Sequence, residues 1–219
     1  MGRPNVKITL GNGGLGRSSV SDDGVAGLVL TGAAVSGGLE LNKHYQLSGT
    51  ADLETLKIDP ETNPLAYKEI AAFYAQAGEG AELHLLVVSE ATTLTQMCDT
   101  VAGSPLRRLV DAAQGRLRLV GVNKIAPDEY DDDTTQGIDK DAITAAEKAQ
   151  AVLVSYAEKV MPFRVLMAAP AFDPECESLF QPRESSTNGV GFVLVSDDAA
   201  NHTAAVGLVL GRAASLSVH

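Results

Sequence analysis

Apolar and polar positions alternate in blocks along this chain, and each block predicts an element. Val25–Leu30, VAGLVL, is a short apolar run bounded by glycines, which predicts a buried strand. Ser36–Gly38 reads as a turn, and HYQLSG from His44 as a short strand leading into a loop. Pro64 opens a helix, PLAYKEIAAFYAQAG, in which Leu65, Ile70, Phe73 and Tyr74 mark one apolar face and Gly78 closes the end. Glu82–Val88, ELHLLVV, is a strong strand signal. Helical pieces follow at Leu94–Val101 and Pro105–Gln114, with Gly115 closing the second. Arg116–Val122 predicts a strand with polar alternation at its start, Ala126–Gly137 an acidic loop, and Asp139 the start of an Ala-rich helix reaching about Val160. Phe163–Ala169 and Gly189–Val195 predict two more strands, separated by an irregular stretch, 170–188, that holds three prolines. Asp197 or Asp198 is placed to cap a last helix through NHTAAVGLVLGRAAS. Strand and helix alternate four times from residue 64 onward. The expected fold is therefore α/β: a sandwich with a mixed, largely parallel sheet flanked by helices.

The first 23 residues break this pattern. They are rich in Gly and Ser and hold one strand-like piece, Val6 to Leu10, so they predict an extended N-terminal arm (1–23) ahead of a core (24–219). The chain stops at ASLSVH just after an apolar helix, with no polar tail or closing strand. That pattern predicts a core lacking its C-terminal completion.

Gly11, Gly13 and Gly16 spell G-x-G-x-x-G after the apolar run, the written form of a dinucleotide-binding turn. Such a turn needs a helix after it, whose N-terminus faces the pyrophosphate, and an acidic residue about 20 residues further on. Here RSSVSDDGVAG follows, whose glycines and valines disfavour a helix, and no helix joins Glu40 to the turn. The glycines fit better as a segment whose backbone reaches unusual φ/ψ at low cost.

Composition narrows the function classes. The net charge is −11, from 28 acidic and 17 basic residues, so the chain should repel nucleic acid and anionic membranes. Aromatics are 5% and Trp is absent, which is poor material for stacking bases. Arg107, Arg108, Arg116 and Arg118 are the nearest approach to a basic cluster and read as decoration of a helix end and a strand. Cys98 and Cys176 lie far apart with no C-x-x-C, and Cys98 beside Met97 reads as core. No signal peptide or membrane-length apolar run is predicted. The acidic run Asp128–Asp133 lacks the spacing of a calcium loop and reads as solvated. His44, His84, His202 and His219 show no H-x-x-x-H pattern, and His84, alternating with Leu83 and Leu85, is expected on the more polar face of its strand. There is no G-x-S-x-G elbow. No catalytic, cofactor or metal residue is singled out, so no enzyme is expected.

Several stretches in order resemble one family. DGVAGLVLTGAA followed by HYQLSGTADLETL is similar to the opening of the tail sheath proteins of contractile phages. NPLAYKEIAAFYAQAGEGAELHLLVV resembles the sheath helix with an aromatic pair (here Phe73-Tyr74), its glycine turn and the following strand. AAVGLVLGRAASLSVH is similar to a sheath helix carrying the small-residue motif A-G-x-x-A-R, read here as Ala205, Gly207, Leu210, Gly211 and Arg212. The likeness is strongest to a divergent sheath-like branch of prophages and phage-derived injection systems, and it covers most of residues 24–219.

The resemblance implies a structural subunit of a helical contractile sheath, in a virion tail or injection-system particle assembled in the bacterial cytoplasm. Its partners would be further copies of itself, an inner tail tube protein, and baseplate or terminator proteins, with no nucleic acid and no membrane. The sheath would surround the inner tube and contract to drive it through a target envelope. Val6, Ile8, Leu10, Gly11, Gly13, Gly14 and Gly16 would form the interaction arm, adding a strand to a neighbour while the glycines act as a hinge. The alternative is an α/β enzyme or nucleotide-binding protein using the Gly11–Gly16 turn.

Overall fold

The computed structural model describes residues 24–125, 134–194 and 204–216. At its centre is β1 (Ala26–Gly32), buried along its whole length. It is buried because it pairs in parallel on both sides, with β3 (Leu83–Ser89) and with β4 (Leu119–Asn123). Beyond β4 come β7 (Arg164–Ala168) and β8 (Val190–Val193), also parallel. Outside β3 lies β2 (His44–Leu47), antiparallel, giving a six-stranded order β2-β3-β1-β4-β7-β8. The sheet is mixed and largely parallel, as the block pattern predicts. A separate two-residue pairing, β5 (Thr134–Thr135) with β6 (Ile138–Asp139), begins inside the stretch expected to be loop, Ala126–Gly137, and runs past its end.

Side-chain alternation along the strands sorts the core into two layers. Leu83, Leu85 and Val87 of β3 pack with α1 (Ala51–Leu56), α2 (Pro64–Ala77) and α6 (Val206–Ala214). Leu86 and Val88 pack with α3 (Leu94–Met97), α4 (Pro105–Ala112) and α5 (Lys140–Ala157). The α2 face follows the sequence reading: Leu65, Ile70, Phe73 and Tyr74 are all buried, and Gly78, at φ 84°, ends the helix. Asp139 caps α5 by accepting from the Asp141 and Ala142 amides. Ala142, Ala145, Ala146 and Ala149 give α5 a small-residue buried face.

Boundaries differ where local chemistry overrides periodicity. The helix expected over Leu94–Val101 ends at Met97, because the polar residues Asp99 and Thr100 follow and Val101 turns out to solvent. The expected strand from Arg116 pairs only from Leu119, after a turn through Gln114 and Gly115, both at positive φ. The long helix stops at Ala157, short of Val160, which has φ 62°. Helix α1 escapes periodicity altogether: it is one and a half turns long, with only Leu53 and Leu56 buried.

Candidate functional site

Val6, Ile8, Leu10, Gly11, Gly13, Gly14 and Gly16 lie outside the described residues, as do the acidic run 128–133 and Asp197 and Asp198. What the structure does show is the two edges on which an added strand could land, and they differ. The β2 edge is guarded. It is four residues long and polar, and Lys43 beside it pairs with Glu40 and lies 5.4 Å from the Tyr45 ring centre. The Tyr45 hydroxyl accepts the Glu40 amide at 2.8 Å, which folds the approach to the strand against it.

The β8 edge is equally short but has neither the polar side chains nor the paired lysine. Val190, Gly191, Phe192, Val193 and Leu194 are apolar, and Phe192, Val193 and Leu194 stay half-exposed. Phe180 meets Phe192 edge-on, with ring centres 5.6 Å apart, and covers it only in part. Among the described residues no strand pairs with the outer side of β8.

The carboxyl ends of the parallel strands are the usual ligand position in open α/β sheets. Here the polar side chains at that end tie strands to loops. Asn63 accepts from the Ala33 amide at 2.8 Å and donates to the Ala33 carbonyl at 3.1 Å. The Thr31 hydroxyl accepts the Ile125 amide at 2.7 Å. Asn123, fully buried, donates to the Ala204 carbonyl at 2.8 Å, while its Oδ1 has no partner among the described residues. Lys124 pairs with Asp141 at 2.9 Å. An open depression of about 610 Å³ between α1 and α2 is lined by Leu53, Glu54, Lys57, Ile58, Asp59 and Tyr67 among others, and the Asp59 carboxylate there accepts the Glu61 and Thr62 amides.

The α6 N-terminus is closed by a residue the sequence did not flag. Glu69, in mid-α2 and buried, accepts from the Gly207 amide. The resemblance to a small-residue helix motif did find Gly207 and Gly211, and these seat α6 on the α2 backbone.

The basic residues behave as decoration: Arg116 pairs with Glu82, Arg107 donates to the Thr100 carbonyl at 2.8 Å, and Arg118 to the Gly115 carbonyl at 3.0 Å. Cys98 is fully buried, and desolvation pushes its thiol up, so it is core. His84 corrects the sequence reading. It is 2% exposed, bonded to His44 Nε2 through its Nδ1 at 2.7 Å and to Glu82 through its Nε2 at 2.8 Å. Among the described residues no group of three or more His, Cys, Asp or Glu could hold a metal, and no helix is long and apolar enough to cross a membrane.

A family model described as DUF2586, N-terminal domain, matches residues 3–219. No curated protein matches the chain. Among solved structures, the chain is similar to the anti-feeding prophage helical sheath in its contracted state, determined by cryo-EM, at a TM-score of 0.47 and 15% identity. That match covers 96% of this chain and 51% of the other, so the chain spans about half the length of that protein.

Proposed function

The chain belongs to the DUF2586 family, and from that premise we propose that it is a structural subunit of a helical contractile sheath, linked to its neighbours by strand addition. One observation carries the reading: the apolar, half-exposed edge of β8, which lacks the charge, proline or bulge that keeps lone edges apart. The sequence supplies a matching strand. In Val6–Leu10 the apolar side chains Val6, Ile8 and Leu10 alternate with Lys7 and Thr9, so one face is apolar and the other polar. The order of sheath-like stretches along residues 24–219 supports the same reading. Main-chain hydrogen bonds would supply affinity, and the alternate apolar side chains would set register.

In this role the glycines Gly11, Gly13, Gly14 and Gly16 connect strand and core without fixing their angle. Neighbouring subunits then stay joined while the lattice shortens. Interfaces repeated head to tail extend into a helix that does not close. The inner tube, baseplate and terminator proteins are its further partners, and the particle is a tail or injection system assembled in the bacterial cytoplasm. The strongly acidic chain suits a less acidic tube.

The test is a cross-link between copies. Ile8→Cys combined with Phe192→Cys, in a Cys176→Ser background, should give a ladder of covalent oligomers on mild oxidation. Either cysteine alone should give none. Monomer alone from the double variant, under conditions where the unaltered protein assembles, would refute strand addition at β8.

The nucleotide-binding alternative needs a helix directly after Gly16, and the sequence there, RSSVSDDGVAG, disfavours one.

A further inference from the structure

The guarded edge of the sheet contains a line of four ionisable side chains. Arg116, just before β4, pairs with Glu82. Glu82 Oε1 lies 2.8 Å from His84 Nε2, and His84 Nδ1 lies 2.7 Å from His44 Nε2. The His44 and His84 ring centres are 5.0 Å apart and their planes are 24° from parallel. That separation is little more than the nitrogen–nitrogen distance plus the two ring radii. The imidazoles therefore meet edge to edge, nitrogen facing nitrogen, rather than face to face. His44 sits on β2 and His84 on β3, so this bond pins an edge strand only four residues long.

The chemistry of the line fixes its protons. Ionised Glu82 only accepts, so His84 donates from Nε2. In the neutral ring its Nδ1 then accepts, and His44 donates from Nε2. One added proton is compatible with the bond: on His44 it falls on the remote Nδ1. On His84 it makes an imidazolium held between Glu82 and His44, which then turns acceptor. A second proton is not, because it sets an N–H of each ring against the other.

We propose that His44 and His84 form a proton-operated latch on the sheet edge, closed while the pair holds no more than one extra proton and opened by the second, which frees β2 from β3. The surroundings agree. Burial, and then the neighbouring His84, hold the His44 pKa below its ordinary 6.5. On the α4 side, Arg107 lies 5.5 Å from the Tyr156 ring centre and Asp111 accepts from the Tyr156 hydroxyl at 2.5 Å, so both are turned to α5, and Arg108 is exposed. On the β2 approach, Lys43 and Glu40 pair with each other, and the Tyr45 hydroxyl takes the Glu40 amide. Glu82 is thus the carboxylate that bonds the pair. The latch does not depend on the sheath reading. Opening it would expose the β3 edge in acid at the side of the sheet remote from β8.

The experiment is an NMR titration of the unaltered chain from neutral to acidic pH. It follows the imidazole nitrogens of His44 and His84 together with amide-exchange protection, corrected for intrinsic rates, of β2 and β1. Two coupled steps are expected, the second below 6.5. As that step is passed, β2 protection should fall about tenfold per unit of depression of the second pKa, with β1 unchanged. In His44→Gln the acid-dependent fall should vanish. Independent single-step titrations, β2 protection constant through the second step, or an unchanged acid response in His44→Gln would each overturn the latch. Because the first measurement needs no substitution, it decides the question even if the variant folds poorly.

Discussion

Asp141 shows how much one side chain can hold together. Its carboxylate accepts the Leu94 amide at 2.8 Å and the Thr95 amide at 3.0 Å, and pairs with Lys124 at 2.9 Å. It thereby joins the start of α3, the first turn of α5 and the end of β4. Burial pushes its pKa up, but hydrogen bonding from Thr95 and the Lys124 ammonium outweigh this and hold it below 3.8. The folded chain therefore binds this proton less readily than the unfolded one. The stabilisation is whole above 3.8 and is lost as pH falls through the lower folded value. Asp141→Ala should cost roughly 2–4 kcal/mol in urea unfolding at neutral pH, with the deficit narrowing in acid below that value. A neutral-pH cost near zero would contradict this role. The sequence showed Asp139 as the start of α5, because a cap is read from adjacent residues. Asp141's partners at 94 and 95 were not legible, since no periodicity records a contact across more than 40 positions. His84 was misjudged for the same reason: alternation placed it on a polar face, but its burial depends on His44 and Glu82 as partners.

At the scale of elements, the contact of α6 with α2 decides how the layer on that face closes. Gly207 and Gly211 are four apart on α6, and they face the backbones of Glu69 and Phe73, four apart on α2. A Cβ at either glycine would come closer than 3.0 Å to that backbone, nearer than real Cβ atoms come. Two effects of Gly211→Ala oppose each other. Helix propensity favours alanine by roughly 1 kcal/mol, but overpacking against a backbone that cannot turn away costs roughly 1–3 kcal/mol. We expect the steric term to win, so Gly211→Ala lowers the urea midpoint. A raised midpoint would mean that α6 has room to move off α2. The long elements were legible because their apolar periodicity spans many residues, as in α2 and α5. Helix α1 was not, because two leucines three apart are too few to declare a period. The small-residue motif of α6 was visible in the sequence, but not the surface it rests on.

At the scale of the molecule, the sheet has two unlike edges, one polar and latched by histidines, the other apolar and half-open. Strand and helix blocks were enough to predict a mixed, largely parallel sandwich. They could not give the strand order, because β1 lies between β3 and β4, so the chain passes from one neighbour to the other across it. Nor could they reveal which edge is unguarded, since that depends on pairing. The central claim is that the unguarded edge and the N-terminal arm together build a lattice. Negative-stain electron microscopy of the protein carrying this chain, with and without residues 1–19, tests it most directly. Long hollow cylinders from the intact protein, and their loss on deletion, are the predicted result. Dispersed particles from the intact protein at every salt and protein concentration, or cylinders indifferent to the deletion, would contradict it.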